Sequence, residues 1–97
     1  MVKIVAKMHL KDEADKETFL GYAKQVVEKT NALDKGCIGY EFCHSKQDPM
    51  GYAMMEQWES DEALAAHMQS AHFTEIVPKM NAFCDGPSEI LVYEKLF

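Results

Sequence analysis

Arginine is missing from this sequence: all ten of its basic side chains are lysines. Arginine supplies the planar fork that grips phosphate or carboxylate through two parallel hydrogen bonds. Its absence, in a chain of formal net charge −6, argues against nucleic-acid binding, which rests on cationic contacts to phosphate. A strongly anionic small ligand is also disfavoured, although lysine can act as a point charge. Long apolar runs are missing too. No window approaches the roughly 18 continuous apolar residues of a membrane span, so no membrane partner is expected. Met1 to Lys7 alternates apolar and charged, whereas a signal peptide has a basic start and then an unbroken apolar run; a cytoplasmic protein is expected. Cysteines are few, and Cys37, Cys43 and Cys84 are odd in number and widely spaced. That pattern suits neither a disulfide framework nor a CxxC zinc site and reads as buried free thiols. Repeats, low-complexity stretches and linkers are absent.

What remains is one domain over residues 1–97, with a hydrophobic fraction of 47% that is too high for disorder. A domain this small buries only roughly 60–65% of its unfolded surface, so pairing with a second copy would add to its core. Val2, Ile4, Ala6, Met8 and Leu10 alternate with Lys3, Val5, Lys7 and His9, the period of a half-buried strand. Asp12 to about Leu33 has helical spacing, with Phe19, Tyr22, Ala23, Val26, Val27 and Thr30 in one stripe, acidic residues in the first turns and Lys35-Gly36 at the end. Cys37 to about Lys46 reads as a second strand, with Ile38, Tyr40, Phe42 and His44 on one side. The turn cluster Gln47–Gly51 leads into a third strand over Tyr52–Glu59, with Tyr52, Met54, Glu56 and Trp58 sharing a face. Ser60 is placed to cap a helix running to about Ser70. A further helical run covers Phe73 to about Phe83, and Pro78 within it predicts a kink or break. Glu89 to Phe97 is the last strand. The order is β-α-β-β-α-β with a divided second helix, an α+β ferredoxin-like arrangement. The sheet is apolar on both faces in places. One face suits the helices, and the other suits an isologous partner sheet, that is, a homodimer.

The candidate chemistry sits between Glu56 and Phe73. His67 is a plausible base, because an unperturbed imidazole titrates near neutrality. Trp58 can stack on a ring. Glu56, two residues earlier on the same strand face, can orient a histidine or a substrate hydroxyl. Met54, Met68 and Met80 offer a soft, adaptable lining, and His72 stands in support. Plainer roles fit the same residues: a satisfied structural histidine at 67, a core indole at 58, a backbone-bonding carboxylate at 56. His9 and His44 lie on strands. His67 and His72 are five apart, roughly 140° around a helix, so a shared metal is not expected; nor is there an HExxH-type motif.

The stretch Glu56-Gln57-Trp58-Glu59-Ser60, then Ala63-Leu64-Ala65-Ala66-His67, then His72-Phe73, resembles the antibiotic biosynthesis monooxygenase family of dimeric α/β barrels. The likeness extends over essentially the whole chain, including Gly36-Cys37-Ile38-Gly39-Tyr40. It is specific for the fold and less so for the reaction. It implies a homodimer and, from the members most alike in this motif, oxidation of a small aromatic or quinol-like substrate by O₂ without metal or flavin. An electron-rich phenol, once deprotonated, can give electrons to O₂; the protein supplies a base, a dry pocket and a hold on the ring. Two branches of the same superfamily are distinguished by residue. The haem-degrading branch carries Asn, Trp and His where this chain has Lys7, His67 and the neighbourhood of Val77. The branch that isomerises a phosphorylated autoinducer shares Asp61-Glu62, His67, His72 and Phe83…Gly86-Pro87, but its basic run after Gly-Pro is replaced by Ser88-Glu89-Ile90. An isomerase of a small hydroxy-ketone is therefore the alternative enzyme, and a non-catalytic ligand-binding dimer the third reading.

Overall fold

A computed structural model describes residues 1–97. The strands are β1 (Val2–His9), β2 (Cys37–His44), β3 (Gly51–Trp58) and β4 (Glu89–Glu94); the helices are α1 (Lys16–Leu33), α2 (Asp61–Met68) and α3 (Ala71–Asn81). They form one antiparallel sheet of order β2-β3-β1-β4. The fold is ferredoxin-like α+β, as the periodicity predicts.

The register puts Ile4 beside Glu56 and Val92, and Ala6 beside Met54 and Ile90. Val2, Ile4, Met8, Tyr40, Tyr52, Met54 and Trp58 are thereby buried under the helices, because side chains two apart on a strand share a face. From α1, Phe19, Ala23, Val26 and Thr30 complete this core. Val5, Met55 and Leu91 sit side by side on the opposite face, where Met55 is 45% exposed.

Four local expectations change. The first helical turn is a separate 3₁₀ turn over Glu13–Asp15, capped by the Asp12 side chain, which accepts from the Ala14 N–H. A bulge between Cys37 and Gly39 pairs Cys37 with Trp58; Ile38 is thrown out of the alternation and is exposed. Pro78 does not break its helix, since α3 runs through it to Asn81. The ring lies on the exposed side of α3. The only division is the one expected near Ser70, at Gln69-Ser70. There the Ser70 hydroxyl accepts from the Phe73 N–H at 3.3 Å and donates to the His67 carbonyl at 2.6 Å, capping α3 while tying it to α2. Finally, β4 ends at Glu94, leaving Leu96 and Phe97 beyond the sheet.

The turn from α1 into β2 is tightly determined. Gly36 has φ +81°, and a Cβ there would lie 2.6 Å from the Ala63 Cβ of α2. Any other residue would meet both the left-handed backbone penalty and that collision. The turn therefore presses on α2 and holds Asp34 beside it.

Candidate active site

Between the sheet and α2–α3 lies an open cavity of about 700 Å³. Ile4, Ala6 and Met8 of β1 and Met54 of β3 form its floor. Leu64, Met68, Phe73, Val77 and Met80 form the helical wall. Ile90 and Val92 of β4 stand at its open side and remain more than half exposed. The lining is mostly apolar. Its titratable side chains are Tyr40, Glu56 and His67, and no lysine reaches it.

Each of these groups is held by a neighbour. Ser60 caps α2 by accepting from the Ala63 N–H at 3.1 Å, which sets the helix carrying His67. The imidazole is 1% exposed. It packs against Trp58 (ring centroids 4.6 Å), Tyr40 (5.0 Å) and Phe73 (5.0 Å). His67 Nδ1 lies 2.6 Å from Asp34 Oδ2, and His67 Nε2 is buried with no protein partner. Burial pushes the His67 pKa below its ordinary value, outweighing the opposing pull of Asp34. The ring is accordingly neutral at neutral pH. Glu56 Oε1 accepts from the Trp58 indole N–H at 2.9 Å. Burial raises the Glu56 carboxyl to about 7, with the indole hydrogen bond acting the other way. Tyr40 is held far above the usual phenol range by burial first, then by the negative Glu56 and Asp34. A neutral base and a carboxyl titrating near neutrality thus share one mostly apolar wall, an arrangement suited to moving protons on a bound ligand.

A family model described as antibiotic biosynthesis monooxygenase matches residues 1–79. This chain belongs to that family. The Bacillus subtilis (strain 168) protein named "Putative monooxygenase YcnE" is 26% identical over 89 residues, which cover 91% of this chain and 93% of that protein. A conserved protein from Methanosarcina mazei Go1 matches with a TM-score of 0.92 at 30% identity, covering 98% of this chain and 92% of that one. A crystal structure described as an antibiotic biosynthesis monooxygenase matches with a TM-score of 0.91 at 26% identity, covering 99% of both chains.

Within this family member, Glu56, His67, Met54, Met68 and Met80 all line the one cavity. Trp58 does not. It is fully buried behind the wall, where it holds Glu56 and backs His67 instead of offering a free ring face. That differs from the stacking platform expected of it, because its strand position in register with Val2 and Cys37 faces the core. His72 also stands back from the cavity, its Nε2 lying 3.0 Å from Asp34 Oδ1 and 3.1 Å from Oδ2. His9 and His44 lie at the far end of the sheet; His9 meets Asp48 at 3.1 Å, and His44 Nε2 bonds the Pro49 carbonyl.

Contrary to the expectation from their spacing, His67 and His72 meet at one group. Roughly 140° would separate them on one helix, but the break at Gln69-Ser70 turns both onto one carboxylate. Donor atoms of Asp34, His67 and His72 all lie within 4.8 Å of one another. This trio is where a divalent ion would find three ligands. Its 2.6 and 3.0 Å separations are hydrogen-bond lengths, so the carboxylate accepts from both rings. Asp34 and Tyr40 are the site-forming residues that motif reading missed.

Proposed function

We propose that this protein is a cofactor-independent monooxygenase that oxidises a small, uncharged aromatic of the quinol type with O₂, as a homodimer in the cytoplasm. The observation that carries this reading is the apolar cavity in which a neutral His67 and a near-neutral Glu56 face the same space. Its size suits a fused aromatic ring and its lining suits an oily one. With Glu56 and no lysine in the wall, nothing there offsets a phosphate, which disfavours a phosphorylated hydroxy-ketone and hence the isomerase alternative.

His67 Nε2 takes the first hydroxyl proton. Glu56, with Oε1 occupied by Trp58, receives the second hydroxyl at Oε2. The electron-rich anion reduces O₂ and a ring carbon bonds one oxygen. That carbon then loses its hydrogen as a proton while the O–O bond breaks, and the other oxygen leaves as water. Quinol plus O₂ gives hydroxyquinone plus water, so the balance needs no further reductant. Met54, Met68 and Met80 fit around the ring, while His72 supports the base through Asp34.

The dimer rests on the uncovered sheet face, where Val5, Met55 and Leu91 are flanked by Tyr93, which is 55% exposed. Three unpaired thiols suit a reducing compartment.

Oxygen consumption with a menadiol-type naphthoquinol tests the reading. Uptake above the protein-free blank, saturating with quinol, is expected. Uptake equal to the blank with the quinol otherwise unchanged overturns it, and turnover under anaerobic conditions would favour an isomerase.

A further inference from the structure

We propose that Asp34, in the turn between α1 and β2, is a positioning residue that sets the tautomer of His67, the histidine of the cavity wall, and so leaves its Nε2 as an unprotonated lone pair. The inference rests on the reading of His67 as the base.

A carboxylate only accepts hydrogen bonds. Asp34 Oδ2 is 2.6 Å from His67 Nδ1, and its two oxygens are 3.0 and 3.1 Å from His72 Nε2. Both nitrogens must therefore carry protons. A neutral His67 has one ring proton to place, and Asp34 claims it for Nδ1. Nε2 is left as a lone pair, buried and with no protein partner. The opposite tautomer would bury an unsatisfied N–H at Nε2 and set two acceptors against each other at 2.6 Å, each at a cost of a lost hydrogen bond.

The surroundings support a built arrangement. The Asp34 side chain is 10% exposed and His72 7% exposed. Its backbone N–H donates to the Thr30 carbonyl at 3.0 Å, ending α1, and its carbonyl accepts from Cys37 N–H at 3.3 Å. Gly36, which no side chain can replace without striking Ala63, seats the turn on α2. His72, on α3, grips the carboxylate from the far side. Three segments far apart in sequence thus converge on one imidazole edge. Local stability does not explain the acid at this place: α1 has no basic residue in its last turn, and an anion at a helix C-terminus opposes the helix dipole.

The test is long-range ¹H–¹⁵N correlation of the histidine rings near pH 7.5, alongside quinol turnover. In the wild-type protein His67 is expected to show a protonated Nδ1 and a bare Nε2. In Asp34→Asn, His72 donates to the amide oxygen and the amide N–H₂ faces His67 Nδ1, so the ring proton moves to Nε2. Turnover is expected to fall by about 10²- to 10⁴-fold with KM little changed, the scale seen when an orienting carboxylate is neutralised. Asp34→Glu, which keeps the charge, should recover part of the rate. A protonated Nε2 in the wild-type protein overturns the proposal even if Asp34→Asn fails to fold. So does a folded Asp34→Asn protein with an unmoved tautomer, or one with a moved tautomer and full turnover. The expected ring state without any quinol turnover would instead sustain the role of Asp34 in setting the tautomer and refute the monooxygenase reading.

Discussion

Glutamine in place of His67 is expected to lower kcat for the proposed naphthoquinol oxidation by about 10²- to 10⁴-fold, the usual contribution of a positioned general base. Glutamine keeps a hydrogen-bonding group near Asp34 but cannot take a proton from a hydroxyl. KM should stay within a few-fold, because the apolar floor from Ile4, Ala6, Met8 and Met54 is untouched. The pH profile carries a second signature. The wild-type rate should fall on the acid side as His67 gains its proton, with burial placing that limb below the ordinary imidazole range. His67→Gln lacks the limb. Initial rates across pH, with circular dichroism to verify folding, decide the matter. A folded His67→Gln enzyme with undiminished rate removes His67 from the chemistry.

Glutamine at position 56 is expected to stabilise the protein more at pH 8 than at pH 5. The sign follows from proton binding. Burial raises the Glu56 carboxyl from 4.5 to about 7, so between those values the native state holds a proton that the unfolded chain has released. Native stability therefore falls as pH rises through that window, and the full cost is present above about 7. The shift of 7 − 4.5 = 2.5 pH units corresponds to about 3 kcal/mol. Water in the open cavity reduces this to about 2 kcal/mol. Glutamine preserves the acceptor for the Trp58 indole and removes the charge, so the gap between variant and wild type should widen by about that amount from pH 5 to pH 8. Urea denaturation at the two pH values measures it. His67 contributes with the opposite sign, losing stability as pH falls below its unfolded value, but it is common to both proteins and cancels in the difference. An unchanged gap would mean that the Glu56 carboxylate is well solvated. In turnover, the rise in rate through about pH 7 as Glu56 ionises should disappear in Glu56→Gln.

The strands were legible because each obeys a period of two, and β1 shows it cleanly from Val2 to Met8. The helices were legible from the Phe19–Thr30 stripe and from Ser60 as a cap. Ile38 misled because a bulge adds a residue without changing composition. Pro78 misled because α3 continues through it to Asn81 with the ring on the solvent side, giving up the one backbone hydrogen bond that proline cannot donate. For the site, Glu56 and His67 could be named from the strand-to-helix motif, since both lie within a dozen residues of each other. Asp34 could not, because its partnership with His67 spans 33 residues and no local pattern pairs side chains that far apart in sequence. One local clue was present: an aspartate at the negative end of a helix works against that helix. Such a broken local rule marks a residue retained for another purpose. Trp58 was read as a surface for ligands because its type favours stacking; strand parity, which places it with the buried Met54 and Tyr52, was the better guide.

Mass spectrometry of the quinone formed under ¹⁸O₂ tests the account most directly. The chemistry assigned to His67 and Glu56 puts one labelled oxygen atom into the hydroxyquinone and the other into water. A product bearing only the oxygens of the starting quinol, with all consumed O₂ recovered as hydrogen peroxide or with none consumed beyond the blank, would contradict it.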